Sequence, residues 1–62
     1  MTQQEKINAS KAVGKRRYLI IDNNNEEYCV ASMLHHAIDD AKKCNGEIWL
    51  AGRCVVPSWN VR

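Results

Sequence analysis

The sequence predicts an α+β domain: a small antiparallel sheet with one helix packed on one face, in the order ββαββ, behind a flexible basic N-terminal arm. Three observations in the 62 residues carry that prediction. Short apolar, partly β-branched runs alternate with turns containing Asn, Asp or Gly; residues 32–44 repeat their apolar side chains at helical spacing; and residues 1–17 are polar and basic. Residues 1–16 are therefore read as the arm and residues 17–62 as a single small domain, since a chain of this length builds one thin core at most.

Taken in order, residues 1–14 are polar with isolated Ile7, Ala9, Ala12 and Val13, too short and too weakly capped to stand alone as a helix. Lys15-Arg16-Arg17 leads into Tyr18-Leu19-Ile20-Ile21, whose composition favours a strand. Asp22-Asn23-Asn24-Asn25-Glu26 is a turn, because Asn and Asp tolerate left-handed backbone and hydrogen-bond their own main chain. Residues 26–31 are open to two readings, a strand or a backward extension of the following helix. The helix would put Glu26 and Glu27 on its apolar stripe and Tyr28 on its charged face, so the strand is preferred and residues 17–22 pair with 27–31 as a hairpin.

In the helix itself, Leu34, Ala37, Ala41 and Cys44 share a stripe with Val30, while His35, His36, Asp39, Lys42 and Lys43 fall opposite. Ser32 is the expected N-cap and Asn45-Gly46 the stop, since both tolerate the left-handed conformation that ends helices. Residues 47–51 make a third strand, and Gly52-Arg53 a two-residue turn with Gly in the first central position. Cys54-Val55-Val56 is a fourth strand stopped by Pro57, as suits a sheet edge, and residues 58–62 form an extended tail.

One helix covers one face of a sheet, yet the strands carry large apolar side chains on both parities: Tyr18 and Ile20 against Leu19 and Ile21, Ile48 and Leu50 against Trp49. Unless the arm or the Trp59 tail folds over it, the second face stays bare. A bare aromatic face marks an interaction surface, so self-association into a homo-oligomer, or partner binding, is expected there.

Composition narrows the function classes. At 45% hydrophobic and 26% charged residues the chain is globular rather than disordered, and no run approaches the roughly 20 apolar residues needed to cross a bilayer, so no membrane partner is expected. Cys29, Cys44 and Cys54 are odd in number with no apolar leader before them, which points to a reducing, cytoplasmic setting with thiols buried as small hydrophobes. Their wide spacing lacks the close pairs of a zinc site. His35/Asp39 and His36/Asp40 are helical i, i+4 pairs, but they sit on the solvated face, whereas a catalytic dyad needs a pocket. No catalytic residue, metal or cofactor is assigned, and the chain is read as not an enzyme.

Charge is distributed unevenly. Residues 1–17 set Lys6, Lys11, Lys15, Arg16 and Arg17 against Glu5 for a net +4, and residues 18–62 carry a net −2. A basic arm on a mildly acidic body attracts either an acidic protein surface or phosphates. The candidate partner-binding residues are accordingly Lys11, Lys15, Arg16, Arg17 and Arg53 for attraction, with Tyr18, Tyr28 and Trp49 as aromatic anchors. The same aromatics would stack on single-stranded bases if the partner were nucleic acid.

In element order the strands Tyr18–Ile21 and 28–31, the helix 32–44 and the strand 47–51 resemble small phage or mobile-element proteins that inhibit host machinery, including some anti-CRISPR proteins and phage inhibitors of host RNA polymerase. The resemblance implies a stoichiometric binder without cofactors that blocks a larger nucleic-acid-handling complex. Together these readings predict a non-enzymatic protein-binding module, with a small nucleic-acid-binding protein as the alternative.

Overall fold

A computed structural model of the chain describes residues 1–61; Arg62, the end of the expected tail, lies outside the described residues. The elements run α1 (Gln3–Ala12), β1 (Tyr18–Ile21), β2 (Glu27–Ala31), α2 (Leu34–Cys44), β3 (Glu47–Leu50), β4 (Arg53–Val56) and α3 (Ser58–Val61). The strands form one antiparallel sheet in the order β2-β1-β3-β4. The α+β class, the antiparallel sheet and the 27–31 strand are thus as expected.

Pairing of β1 with its neighbours places Ile20, Ile48 and Cys29 on one face and Leu19, Ile21 and Trp49 on the other. α2 covers the first face through Ala37 and Ala41, both fully buried, whose small side chains let the helix lie close to the strands. Ile7 and Ala9 of α1, with Val13 at its C-cap, cover the second, packing on Leu19, Ile21 and Trp49. Two departures from expectation follow. Residues 3–12 are a docked helix rather than an arm, and the sheet carries helices on both faces rather than one. The bare face on which self-association was argued is therefore occupied.

The reason lies in polar side chains. Thr2 Oγ1 accepts from the Glu5 N–H at 3.2 Å and the Glu5 carboxylate accepts from the Thr2 N–H at 2.9 Å, a reciprocal capping box that starts α1. Ser10 is fully buried, donating to the Ile7 carbonyl and accepting from the Gly52 N–H at 2.8 Å. Lys6 reaches Glu47 at 3.0 Å. α1 is held by a narrow apolar stripe plus two polar ties to β3 and the β3–β4 turn.

Loop chemistry accounts for the remaining boundaries. Asp22 Oδ1 accepts from the N–H groups of Asn24 and Glu26, and Asn25 is left-handed at φ 62°, closing the β1–β2 turn. α2 begins one residue later than a Ser32 cap implies: Met33 occupies the cap position and no side chain bonds the first turn. At the other end Asn45 is left-handed, and the Gly46 N–H donates to the Ala41 carbonyl at 2.9 Å, the Schellman arrangement expected of Asn-Gly. The β3–β4 turn is centred on Ala51-Gly52 rather than Gly52-Arg53, with Leu50 facing Arg53 across it. Both central residues have positive φ, 49° and 86°, as in a type I′ turn. Residues 58–61 of the expected tail are not extended; α3 buries Val61 on the α2 side.

Ala51 is the misfit in that turn, since a Cβ disfavours the left-handed region. Ala51→Asn should raise stability by about 0.5–1 kcal/mol, read as a melting midpoint roughly 2–8 °C higher by circular dichroism. An unchanged midpoint would mean that residue 51 carries no strain.

Candidate partner-binding surface

The structure gathers five of the predicted residues and separates three. Lys15, Arg16 and Arg17 are exposed in the link from α1 to β1. β3 runs antiparallel to β1, so it ends where β1 begins, and Leu50 pairs with Arg53 at that same end. Lys11 lies against the β3–β4 turn, its Cε only 2.8 Å from where a Cβ on Gly52 would stand. Lys11, Lys15, Arg16, Arg17 and Arg53 thus form one basic end of the molecule, and none of them takes part in an ion pair among the described residues. Asp22, Glu26 and Glu27 lie at the opposite end of the β1–β2 hairpin.

The aromatic candidates fare differently. Tyr28 is exposed on β2, but Tyr18 is half-buried against the α2-side core. Trp49 is only 5% exposed and its Nε1 donates to Glu47 Oε2 at 2.7 Å. Its ring is part of the core and is not offered as an anchor or a stacking surface, which corrects the sequence expectation.

Beside the basic end a groove of about 430 Å³ opens between α1, β4 and α3, lined among others by Ile7, Trp49, Arg53, Cys54, Pro57 and Trp59. Because β4 runs from Arg53 to Val56 and α3 follows Pro57, Arg53 and Trp59 stand towards opposite ends of it. Glu47 lies on its floor. Burial alone pushes this carboxyl up, but hydrogen bonds from Trp49 and then Lys6, with the Lys6 charge, outweigh burial and hold it below its ordinary value of 4.5. Glu47 is therefore an ionised, saturated acceptor that joins α1, β3 and β4.

Comparison of the chain with family models, curated proteins and solved structures finds no match. The surface must be read from its own chemistry.

Burial and the facing Asp40, which accepts from the thiol at 3.3 Å, push Cys29 up to about 11. Partial desolvation and the Glu47 charge push Cys54 up to about 11 as well, and burial raises Cys44, so the three thiols stay protonated at neutral pH. His35 and His36 pack edge to face on each other, ring centroids 4.2 Å apart, on the exposed side of α2 and away from the groove. Among the described residues no three His, Cys, Asp or Glu side chains converge as a metal site would require, and no helix is long and apolar enough to cross a membrane.

The residue sequence reasoning missed is Trp59. It was placed in a closing tail, yet its indole is 75% exposed while the neighbouring Val61 is buried. No sequence signal marked it: in an extended tail Trp59 and Val61 share a face, and only the helical turn Ser58–Val61, which sets them about 200° apart, sends one inward and the other out.

Proposed function

We propose that this protein is a small non-enzymatic binding module that docks on an acidic surface of a larger protein through its basic end and the adjoining groove, and acts by covering that surface. The observation that carries the reading is Trp59, a large apolar ring left 75% exposed on a groove that also presents Arg53. Trp and Arg are the side chains most enriched among binding hot spots, and a ring left in water gains most by being covered. Lys11, Lys15 and Arg16 supply the long-range attraction that speeds encounter with an acidic partner. In line with the phage-type resemblance, the partner is a component of nucleic-acid-handling machinery, inhibited by occlusion in a reducing cytoplasmic setting.

Direct binding to nucleic acid would use the same cations. Stacking on single strands needs exposed aromatics on the sheet, however, and Trp49 is core while Tyr18 is half-buried. Protein is therefore the favoured partner. The test is affinity capture from host lysate with the wild-type chain, Trp59→Ala and the Lys15→Glu/Arg16→Glu pair. A protein band that survives nuclease treatment is expected. Trp59→Ala should weaken its retention about thirtyfold, the loss of about 2 kcal/mol usual for a hot-spot truncation. Nuclease-sensitive capture, or salt-steep binding to mixed-sequence oligonucleotides, would replace this reading with the nucleic-acid one.

A further inference from the structure

We infer that β2 pairs with β2 of a second copy of this chain, antiparallel about a two-fold axis at Cys29, so that one sheet runs through both molecules. β2 is an edge strand with a neighbour on one side only, and its outer backbone donors and acceptors form an open template. The two edges of this sheet are guarded unequally. β4 begins with Arg53, shifts register opposite Ile48 and Trp49, and is followed by Pro57, whereas β2 contains no Lys, Arg or Pro and carries its one charge, Glu27, at its start.

The side chains along β2 are those of an interface. Tyr28 is 47% and Val30 43% exposed. Val30 faces Leu19 and Glu27 faces Ile21, which sets both on the α1 side of the sheet, and the register shift after Ile20 inserts Tyr28 between Glu27 and Cys29. α1 lies over β1 and β3 and leaves this flank open. The shift sits at the acidic end, so Cys29, Val30 and Ala31 remain regularly paired.

What selects a second copy over a foreign strand is self-complementarity. A two-fold interface uses the same patch twice with its ends exchanged. Here one end is acidic, Glu26 and Glu27, and the other is basic, with Arg17 immediately before Tyr18, whose pairing partner Ala31 closes β2. Antiparallel pairing at Cys29 brings Glu27, beside the bulged Tyr28, towards the end of the second copy where Arg17 stands one strand further on, twice. It also sets Tyr28 opposite Val30 of the second copy, twice, an aromatic and β-branched pair of the kind that stabilises neighbouring strands. Parallel pairing would put like ends together.

Sedimentation equilibrium on the full chain from roughly 10 μM to 1 mM tests this, the range in which a modest edge interface is visible. A reversible dimer is expected. Arg17→Glu and Glu27→Arg should each raise its dissociation constant about threefold or more, because each exposed charge acts at two symmetric places across one strand, and the combined variant should return it close to the wild-type value. Val30→Lys should abolish the dimer while the melting curve shows the fold retained. A monomer throughout the range overturns the inference, as does a dimer indifferent to these variants or a charge swap that fails to restore it. Sedimentation is read on the chain alone, and Glu27→Arg and Val30→Lys leave the basic end and Trp59 untouched, so failure of the dimer is distinguishable from failure of partner capture.

Discussion

Gly46→Ala should remove most of the stability of this fold. The added Cβ would fall inside the contact shell of the Ile21 carbonyl oxygen and 2.9 Å from Cys44 Sγ. Neither side has room to yield. β1 is bonded to strands on both flanks, and the chain at Gly46 is fixed by the left-handed Asn45 and by the Gly46 N–H bond to Ala41. Overpacking against backbone at such a point costs about 3–5 kcal/mol, against a total of about 3–9 kcal/mol for a domain of this size. Urea unfolding followed by circular dichroism should show the variant partly unfolded before denaturant is added. Gly14→Ala is the control: its φ is 105° but nothing lies within 4 Å of the new Cβ, so it should lose only the backbone strain of about 1–2 kcal/mol. Equal losses would mean that β1 and α2 separate easily, contrary to the packing described.

Gly46 also shows what was legible in the sequence. Asn45-Gly46 reads as a helix stop from local chemistry, and local chemistry decides it. The same holds for the Asp22–Glu26 turn and for the apolar runs of β1 and β3, which are buried on both faces and look it. α1 was not legible as a docked helix because two of the residues that tie it down, Lys6 and Ser10, are polar, so amphipathicity is faint. Its Thr2-x-x-Glu5 capping box was readable and is the signal that should have raised the helix above an arm. The one-residue error at the β3–β4 turn has a similar origin. Gly52 serves either turn register by sequence, and the bond from its N–H to Ser10, far away in the chain, accompanies the one adopted.

The surface divides in the same way. A run such as Lys15-Arg16-Arg17 is visible in any reading, but its union with Lys11 and Arg53 depends on strand order and register, which no spacing rule supplies. The two tryptophans exchanged expected roles for a physical reason. Trp49 sits two residues after Glu47 in a strand, so both side chains share a face and the indole N–H has a partner that permits burial. Trp59 follows the sheet on a short helical turn with Val61 facing the core, and it is left in solvent. Met33 breaks a local rule without evident structural gain, standing exposed at an uncapped helix start where Ser, Thr or Asp would be more stable.

Glu47 sets how the fold responds to acid. Its carboxylate is shared by Lys6 at 3.0 Å, Trp49 Nε1 at 2.7 Å and the Cys54 thiol at 3.5 Å, so one ionised group fastens α1 to β3 and β4. Because its value in the folded chain is depressed below 4.5, the unfolded chain binds this proton more readily. Stability from Glu47 is therefore fully present above pH 4.5 and is lost as pH falls through the lower, folded value. Glu5, depressed by its hydrogen bonds within the capping box, acts with the same sign. Glu47→Ala at neutral pH leaves the mostly buried Lys6 ammonium with Asn25 Oδ1 as its neutral acceptor and the Trp49 N–H with none, and should cost about 2–3 kcal/mol, lowering the melting midpoint on the order of 10–20 °C. Glu47→Gln keeps the shape without the charge. Its melting midpoint should lie below the wild type at pH 7 and converge with it as the wild-type carboxylate takes up its proton below pH 4.5, leaving the shallower acid dependence due to Glu5. Parallel curves for wild type and Glu47→Gln across that window would show that Glu47 is not the group whose protonation loosens α1. Convergence would identify the Lys6–Glu47 pair as the tie that keeps the second face of the sheet covered.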